Sequence, residues 1–358
     1  LSFGVYVHVP FCSKRCDYCA FATWTDRHHL HHDYIAACRR ELVRADLADA
    51  TSVFVGGGTP SLVAPGLLAQ LLADIRLAPG AEVTVECNPD NVTDELLRVY
   101  RDAGVNRISL GVQSTVPHVL ASLGREHDRA AVARAADAIG RAGFATYNVD
   151  VIYGAAGETM TDWETTLTDV LALSPAPPHV SAYGLTVEAG TPLAAQPERH
   201  PDDDDQASKY LVAHRMLTDA GPANYEISNW ARPGHECRHN GLYWEQGNYR
   251  GIGCAAHSHE DGRRWWNHHT PDRYIAAVTS GASPESGFEE LDDATRELEA
   301  LQLRLRTRDG VPVGALDEQD PDLETLVERR GDTLVLTLDG KLLANEVALR
   351  LRTTAPTF

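Results

Sequence analysis

Charge balance is the first thing this 358-residue chain lacks: 51 acidic residues face 32 basic ones, for a net charge of −19. So acidic a chain has no extended seat for phosphates, which argues against nucleic acid as a partner. Long apolar runs are missing as well. None approaches the roughly 18 residues that cross a bilayer, so no membrane span is expected. The sequence starts at Leu1, and no charged stretch followed by an apolar one opens it, so no signal peptide is expected. Cysteines are neither even in number nor evenly spread. The seven stand at 12, 16, 19, 38, 87, 237 and 254, which argues against a disulfide framework and for a reducing cytoplasm. No Cys-x2-Cys-His run is present, which speaks against covalent c-type heme attachment. The acidic run PDDDDQ (201–206) lacks the alternating ligands and the glycine of a calcium loop, and reads as a solvated link or helix start.

What is present is 43% hydrophobic residues, enough for a large domain and a smaller one. Short apolar strands alternate with amphipathic stretches up to about residue 187. The strands read as 3–10, 52–57, 82–89, 107–114, 145–154 and 179–186. Gly104 and Gly143 follow helices as C-terminal stops, and Thr93 and Thr161 each precede an acidic residue as N-caps. Such alternation predicts a parallel sheet with helical crossovers. Six units rather than eight predict an incomplete (β/α)6 barrel. Polar and glycine-rich residues fall at the C-terminal strand ends, as in Gly56-Gly57-Gly58-Thr59, Glu86, Gln113 and Asp150. That edge is the catalytic face of such barrels.

Three cysteines in the run CSKRCDYC, Cys12, Cys16 and Cys19, follow the first strand. Their spacing lets one loop offer three thiolates to a metal centre, and thiolates suit iron–sulfur clusters, zinc or Cu(I). A structural zinc site closes with four protein ligands. The next cysteine, Cys38, lies in the helix-like run YIAACRREL and is badly placed to be the fourth. An iron–sulfur centre with one open position is therefore favoured over zinc. Cys38, Cys87, Cys237 and Cys254 read as buried thiols, and His28, His29, His31 and His32 as a solvated helix start.

Cys-x3-Cys-x2-Cys after a first strand resembles the motif of the radical SAM enzymes. The resemblance implies a [4Fe–4S] cluster on Cys12, Cys16 and Cys19, with S-adenosylmethionine (SAM) on the open iron. It extends over nearly the whole chain and points to the HemN-like branch. Matched residue by residue, Tyr6 falls at a position that contacts SAM through its carbonyl. GGGTPS (56–61), with Gly57, Gly58 and Thr59, is similar to the turn that binds the methionine amino end. Glycines there let backbone groups approach a ligand closely. Glu86 in ECNP matches the acid at the methionine moiety. Gln113 in GVQS and Asp150 in NVDVIYG match ribose-binding groups. Arg125 in LGREH matches the arginine that pairs with the SAM carboxylate, a role its fork geometry suits. Taken alone, Glu86, Gln113 and Asp150 read equally as buried polar residues capping strands, and Arg125 as half of a surface ion pair.

Two features discriminate within the branch. The coproporphyrinogen dehydrogenases continue to a fourth cysteine two residues after the third, where this chain has Phe21. The run HNGLYW, with His239, Asn240, Tyr243 and Trp244, resembles the HNxxYW signature of the HemW heme chaperones. That resemblance implies heme as cargo, recipient hemoproteins and an electron donor as partners, and a SAM-bound cluster that supports transfer or homodimer formation. His239 is the candidate heme ligand, with His235 and His257 as competitors. Packing of Tyr243 and Trp244 over the barrel, with His239 hydrogen-bonded, is the structural alternative. A radical SAM oxidase or methyltransferase acting on a tetrapyrrole or another small substrate is the rival function. The expected organisation is a partial barrel over 1–224, a middle segment over 225–287 that closes it, and a winged-helix-like module over 288–358 with a turn at Asp339-Gly340.

Overall fold

The structure, a computed structural model, describes residues 2–353. Six parallel strands are adjacent in chain order: β1 (Phe3–Val9), β2 (Ala50–Gly57), β3 (Leu77–Cys87), β4 (Arg107–Gln113), β5 (Thr146–Tyr153) and β6 (His179–Gly184). The crossovers carry α1 (His31–Ala45), α2 (Pro65–Leu72), α3 (Asp94–Asp102), α4 (Pro117–Ser122), α5 (Arg129–Arg141) and α6 (Met160–Leu171), and α7 (Asp203–Asp219) follows β6. The short pair β7 (Ala223–Glu226) and β8 (Asn229–Ala231) extends the β6 edge. After α8 (Arg238–Trp244), β9 (Asn248–Ile252) lies parallel to β1. Then β10 (His257–Glu260), β11 (Arg263–Asn267), α9 (Pro271–Ser280) and β12 (Glu285–Glu290) complete a sheet of 12 strands. A second sheet of three strands comprises β13 (Val311–Pro312), β14 (Val327–Arg330) and β15 (Thr333–Leu336). It packs with α10 (Asp293–Leu305), α11 (Leu338–Leu342) and α12 (Ala344–Ala348) around its own apolar core, which includes Leu305, Leu334 and Val347. Among the described residues, no helix is long and apolar enough to cross a membrane.

The parallel strands are two-faced in composition. One set of alternate residues is apolar and packs under the crossover helices: Val5 and Val7, Val53 and Val55, Val83 and Val85, Ile108 and Leu110, Val149 and Val151, Val180 and Ala182. The intervening residues face the concave side, and most of them are polar. Register stacks them in layers: Glu86 pairs with Ser109, Ser109 with Asn148, and Asn148 with His179. Gly111, Asp150 and Ser181 form the next layer toward the strands' C-terminal ends. Because side chains alternate with period two, one polar residue at a strand end implies another two residues earlier.

Some local expectations shift. Thr93 caps α3 by accepting from the Leu96 amide, but the cap of α6 is Thr159, not Thr161. Thr159 and Asp162 form a reciprocal capping box, which requires the acid three residues after the cap. Asp339-Gly340 is no turn: both residues lie in α11. A Cβ on Gly340 would stand 1.9 Å from the Leu326 carbonyl oxygen, so close approach explains the glycine. The middle segment is built into the main sheet and is fastened to α1 through buried Glu41. That carboxylate accepts from the Gly253 amide at 3.1 Å, Asn267 Nδ2 at 3.0 Å and the Tyr274 hydroxyl at 2.5 Å.

Candidate cofactor-binding site

The cysteine loop leaves the C-terminal end of β1 and is pinned at both ends. Cys12 N donates to Trp24 O at 3.1 Å, and Trp24 N donates to Pro10 O at 2.7 Å. Inside, His8 Nε2 lies 2.9 Å from the Ala22 carbonyl and His8 Nδ1 lies 3.0 Å from the Tyr6 hydroxyl. A carbonyl only accepts, so Nε2 carries the proton and Tyr6 donates to Nδ1. Burial pushes His8 down to about 4, which keeps it neutral in this role. On the outer side, Asp17 is held by Arg199 at 2.9 Å, and Asp17 O accepts from Leu193 N at 3.0 Å. The segment after β6 thus braces the loop. Burial raises the thiols of Cys12 and Cys19. The Thr59 hydroxyl, 3.7 Å from Cys12 Sγ, and the Phe21 backbone beside Cys19 oppose that rise.

The glycine turn closes against this loop. Gly58 N donates to Val9 O and Thr59 N to Phe11 O, each at 2.7 Å. A Cβ on Gly57, whose φ is +110°, would lie 2.4 Å from His8 Nδ1, and one on Gly58 would lie 2.6 Å from Phe11 O. Neither position admits a side chain. Gly57 N donates to Glu86 Oε2 at 3.0 Å. Burial, with nearby Asp150 adding repulsion, pushes the Glu86 carboxyl up to about 8. Asp150 is also raised by burial, although Ser109 Oγ donates to it at 2.8 Å and Asn148 Nδ2 at 2.9 Å. Arg125 Nη2 donates to Asn88 Oδ1 and Gly111 O, both at 2.8 Å, while its Nε has no partner. No carboxylate among the described residues forms an ion pair with Arg125. Gln113 sits at a register shift between β4 and β5 with φ +63°, a strained left-handed conformation that recurs at functional sites.

One cavity of about 640 Å³ gathers these groups. Tyr6, the three cysteines, Gly57, Gly58, Thr59, Glu86, Gln113, Arg125 and Asp150 all line it. The three cysteines do not converge as a single ion's ligands do, and no such group of His, Cys, Asp or Glu exists among the described residues. Three soft thiolates on one loop are a donor set that suits an iron–sulfur cluster. The residues present fit the two groups that radical SAM chemistry requires. Three soft donors sit at the rim, and a side-chain-free cradle adjoins them. An arginine without a counter-ion among the described residues and two buried carboxyls line the same chamber.

His239 is not brought to this cavity. It is fully buried on α8, with Nδ1 2.9 Å from Ser52 Oγ and Nε2 2.9 Å from the Tyr243 hydroxyl. Its ring stacks on Phe54 at 5.6 Å, and burial lowers it to about 3. Both ring nitrogens are hydrogen-bonded within the protein. Helix α8 instead plugs the barrel from the N-terminal end of the strands. Glu82 on β3 caps it, accepting from His239 N and Arg238 N at 3.2 Å each. A Cβ on Gly4 would meet Leu242 at 2.7 Å. Asn240, one residue on, does reach the cavity.

Sequence reasoning missed His8, Asn88, Ser109, Asn148 and Ser181. His8, Ser109 and Asn148 were signalled by period-two alternation from Tyr6, Gln113 and Asp150, whereas Asn88 lies past the end of β3 and Ser181 had no chosen neighbour on its strand. It also missed the buried pair of Lys209 and Glu158, 3.1 Å apart. Glu158 Oε2 accepts from Gly154 N at 2.6 Å, and Lys209 Nζ donates to Glu158 O at 2.9 Å. This pair fastens the turn after β5 to α7.

Comparison with known proteins agrees with this geometry. The radical SAM superfamily profile matches residues 6–170. The heme chaperone HemW of Mycobacterium tuberculosis is 40% identical, covering 98% of this chain and 94% of its own length. HemW of Bacillus subtilis is 30% identical over 96% of this chain and 97% of its own. HemW of Escherichia coli is 37% identical over 71% and 69%. The solved structure of the radical SAM enzyme coproporphyrinogen III oxidase (HemN) from Escherichia coli superposes with a TM-score of 0.84. It covers 97% of this chain and 89% of its own at 22% identity, a likeness of fold.

Proposed function

We propose that this chain, which belongs to the HemW family of radical SAM proteins, binds heme and delivers it to hemoproteins in the cytoplasm. The observation that carries the reading is full-length similarity to proteins named heme chaperones, at up to 40% identity. Phe21 supports it, standing where the coproporphyrinogen dehydrogenases carry a fourth cysteine.

Family membership implies a [4Fe–4S] cluster and SAM. Cys12, Cys16 and Cys19 would hold the cluster, and the glycine turn, Glu86, Gln113, Arg125 and Asp150 would hold SAM. When bound and reduced by an electron donor, the pair supplies reductive cleavage of SAM. The chain's own contribution is orientation and charge. His8 keeps the cysteine loop in place as a neutral imidazole. Arg125 offers a fork to a carboxylate, and Gly57 and Gly58 present backbone polar groups at close range. Glu86 receives a cation best when ionised, so ligand binding and its proton are linked.

In the same reading the chain divides into a partial barrel (1–224), a middle segment (225–287) and a C-terminal module (288–358). The separate apolar core around Leu305 and Val347 supports the last division.

Anaerobic reconstitution with iron and sulfide, followed by titration with hemin and incubation with SAM and coproporphyrinogen III, tests the function. Heme binding without porphyrinogen turnover is expected. Decarboxylated product, or no heme binding by reconstituted protein, overturns it.

A further inference from the structure

We propose that heme docks on the rim of the cofactor cavity, with its ring against Phe21 and Tyr183 and a propionate on Arg15. The inference rests on the heme-chaperone reading and adds a location to it.

Two large rings of the cavity wall keep exposed surface. Phe21 is 64% exposed and Tyr183 is 39% exposed, and both line the cavity. Phe21 rides on the cysteine loop after β1, and Tyr183 on β6. The two rings thus belong to the first and the last of the six strands that are adjacent in chain order. Aromatic rings are normally turned inward, and paired exposed rings at a concave site mark a surface that receives a ligand.

Charge selects the ligand. In a chain of net charge −19, the same loop offers adjacent cations, Lys14 and Arg15, and both line the cavity. Lys14 pairs with Glu126 at 3.4 Å, whereas Arg15 forms no ion pair among the described residues. A flat apolar ligand with carboxylates on its edge complements rings flanked by a free guanidinium. Heme has that form.

Size excludes the interior. A cavity of about 640 Å³, lined by residues assigned to the cluster and SAM, is of the order that encloses one small ligand. A macrocycle in addition to SAM has to sit above it. The floor offers no alternative, because both nitrogens of His239 are engaged within the protein. Docking by ring faces and propionates also suits a carrier, since it leaves axial ligation of the iron to the recipient.

The test uses reconstituted full-length protein and three separate readouts: hemin affinity by absorption titration, SAM affinity, and iron content. Phe21→Ala is expected to weaken hemin binding about tenfold. Arg15→Glu is expected to weaken it by a similar factor, with iron content and SAM affinity within twofold of the parent in both variants. Iron-free protoporphyrin IX is expected to bind within severalfold of hemin, because ring and propionates make the contacts. Hemin binding unchanged in both variants overturns the rim site but leaves the chaperone reading intact. Loss of SAM affinity with hemin binding intact assigns Phe21 to the SAM site and overturns the proposal. Hemin binding with no protoporphyrin binding makes axial ligation dominant, which also overturns it. No hemin binding by the parent protein removes the chaperone reading itself.

Discussion

If Glu86 receives the ammonium of SAM, as proposed, SAM affinity depends on pH in a direction set by the burial of that carboxyl. Burial and the neighbouring Asp150 push its carboxyl from the usual 4.5 to about 8. At pH 7 the empty site therefore holds it mainly protonated, and ionising it costs about 1.4 kcal/mol, one pH unit below that value. A ligand whose ammonium draws out the carboxylate must displace that proton. Affinity should then rise with pH, by about tenfold per unit between pH 5.5 and 7. The gain should level off as the ligand's own amino group begins to deprotonate near 7.7–8.0. Stability moves the opposite way. A carboxyl raised in the folded state favours folding below pH 4.5 and forfeits that advantage progressively up to pH 8, so Glu86→Gln should stabilise the empty protein at pH 8 relative to pH 5. Calorimetric titration of reconstituted protein with SAM, in buffers of differing ionisation enthalpy, counts the released proton directly. Flat affinity across pH 5.5–7 in the parent, or an undiminished slope in Glu86→Gln, would refute the reasoning.

Cys16→Ala should abolish the cluster, because two thiolates remain; iron and sulfide content with visible absorption checks this. Lys209→Met leaves the buried Glu158 charge without its partner and should cost about 3–5 kcal/mol in chemical denaturation, with much of the loss recovered when Glu158→Leu is added. His239→Ala strands the Ser52 and Tyr243 hydroxyls and opens a cavity under Phe54, which should cost roughly 2–4 kcal/mol of stability. Hemin affinity of whatever protein remains folded should stay within twofold; a loss of tenfold or more with normal unfolding behaviour would return His239 to the heme site.

The strands, crossover helices and polar rim were legible because period-two apolar runs and polar strand ends are local features. The loop cysteines were legible for the same reason, since chain spacing alone gathers them. The rest depended on register. The hydrogen bonds of His239 were not legible, because a motif gives residue types at a spacing, not the direction in which a ring points. Only the stacking of Gly4, Ser52 and Glu82 at the base of three strands turns it inward. Gln113 gave no signal of its left-handed backbone, which arises from a register shift against β5. Gly340 looked like turn chemistry, yet the contact that requires a glycine comes from Leu326.

The polar lining changes what holds this barrel open. Closed barrels fill the interior with apolar layers, and their packing is self-sufficient. Here one layer runs Glu86, Ser109, Asn148 and His179, and the next Gly111, Asp150 and Ser181. Neutral members are partly satisfied by one another, as Asn148 and Ser109 are by Asp150. Asp150 is partnered by them in turn, whereas among the described residues Arg125 Nε has no partner and Glu86 has only the Gly57 amide. Meanwhile the cysteine loop is secured by bonds that need no cofactor, through Trp24, His8 and Asp17. The fold therefore divides its work. Protein hydrogen bonds position the metal-binding loop in advance, and a ligand carrying both an ammonium and a carboxylate supplies the counter-charges the chamber lacks. Helix α8 stands at the opposite end, held there by Glu82 and Ser52.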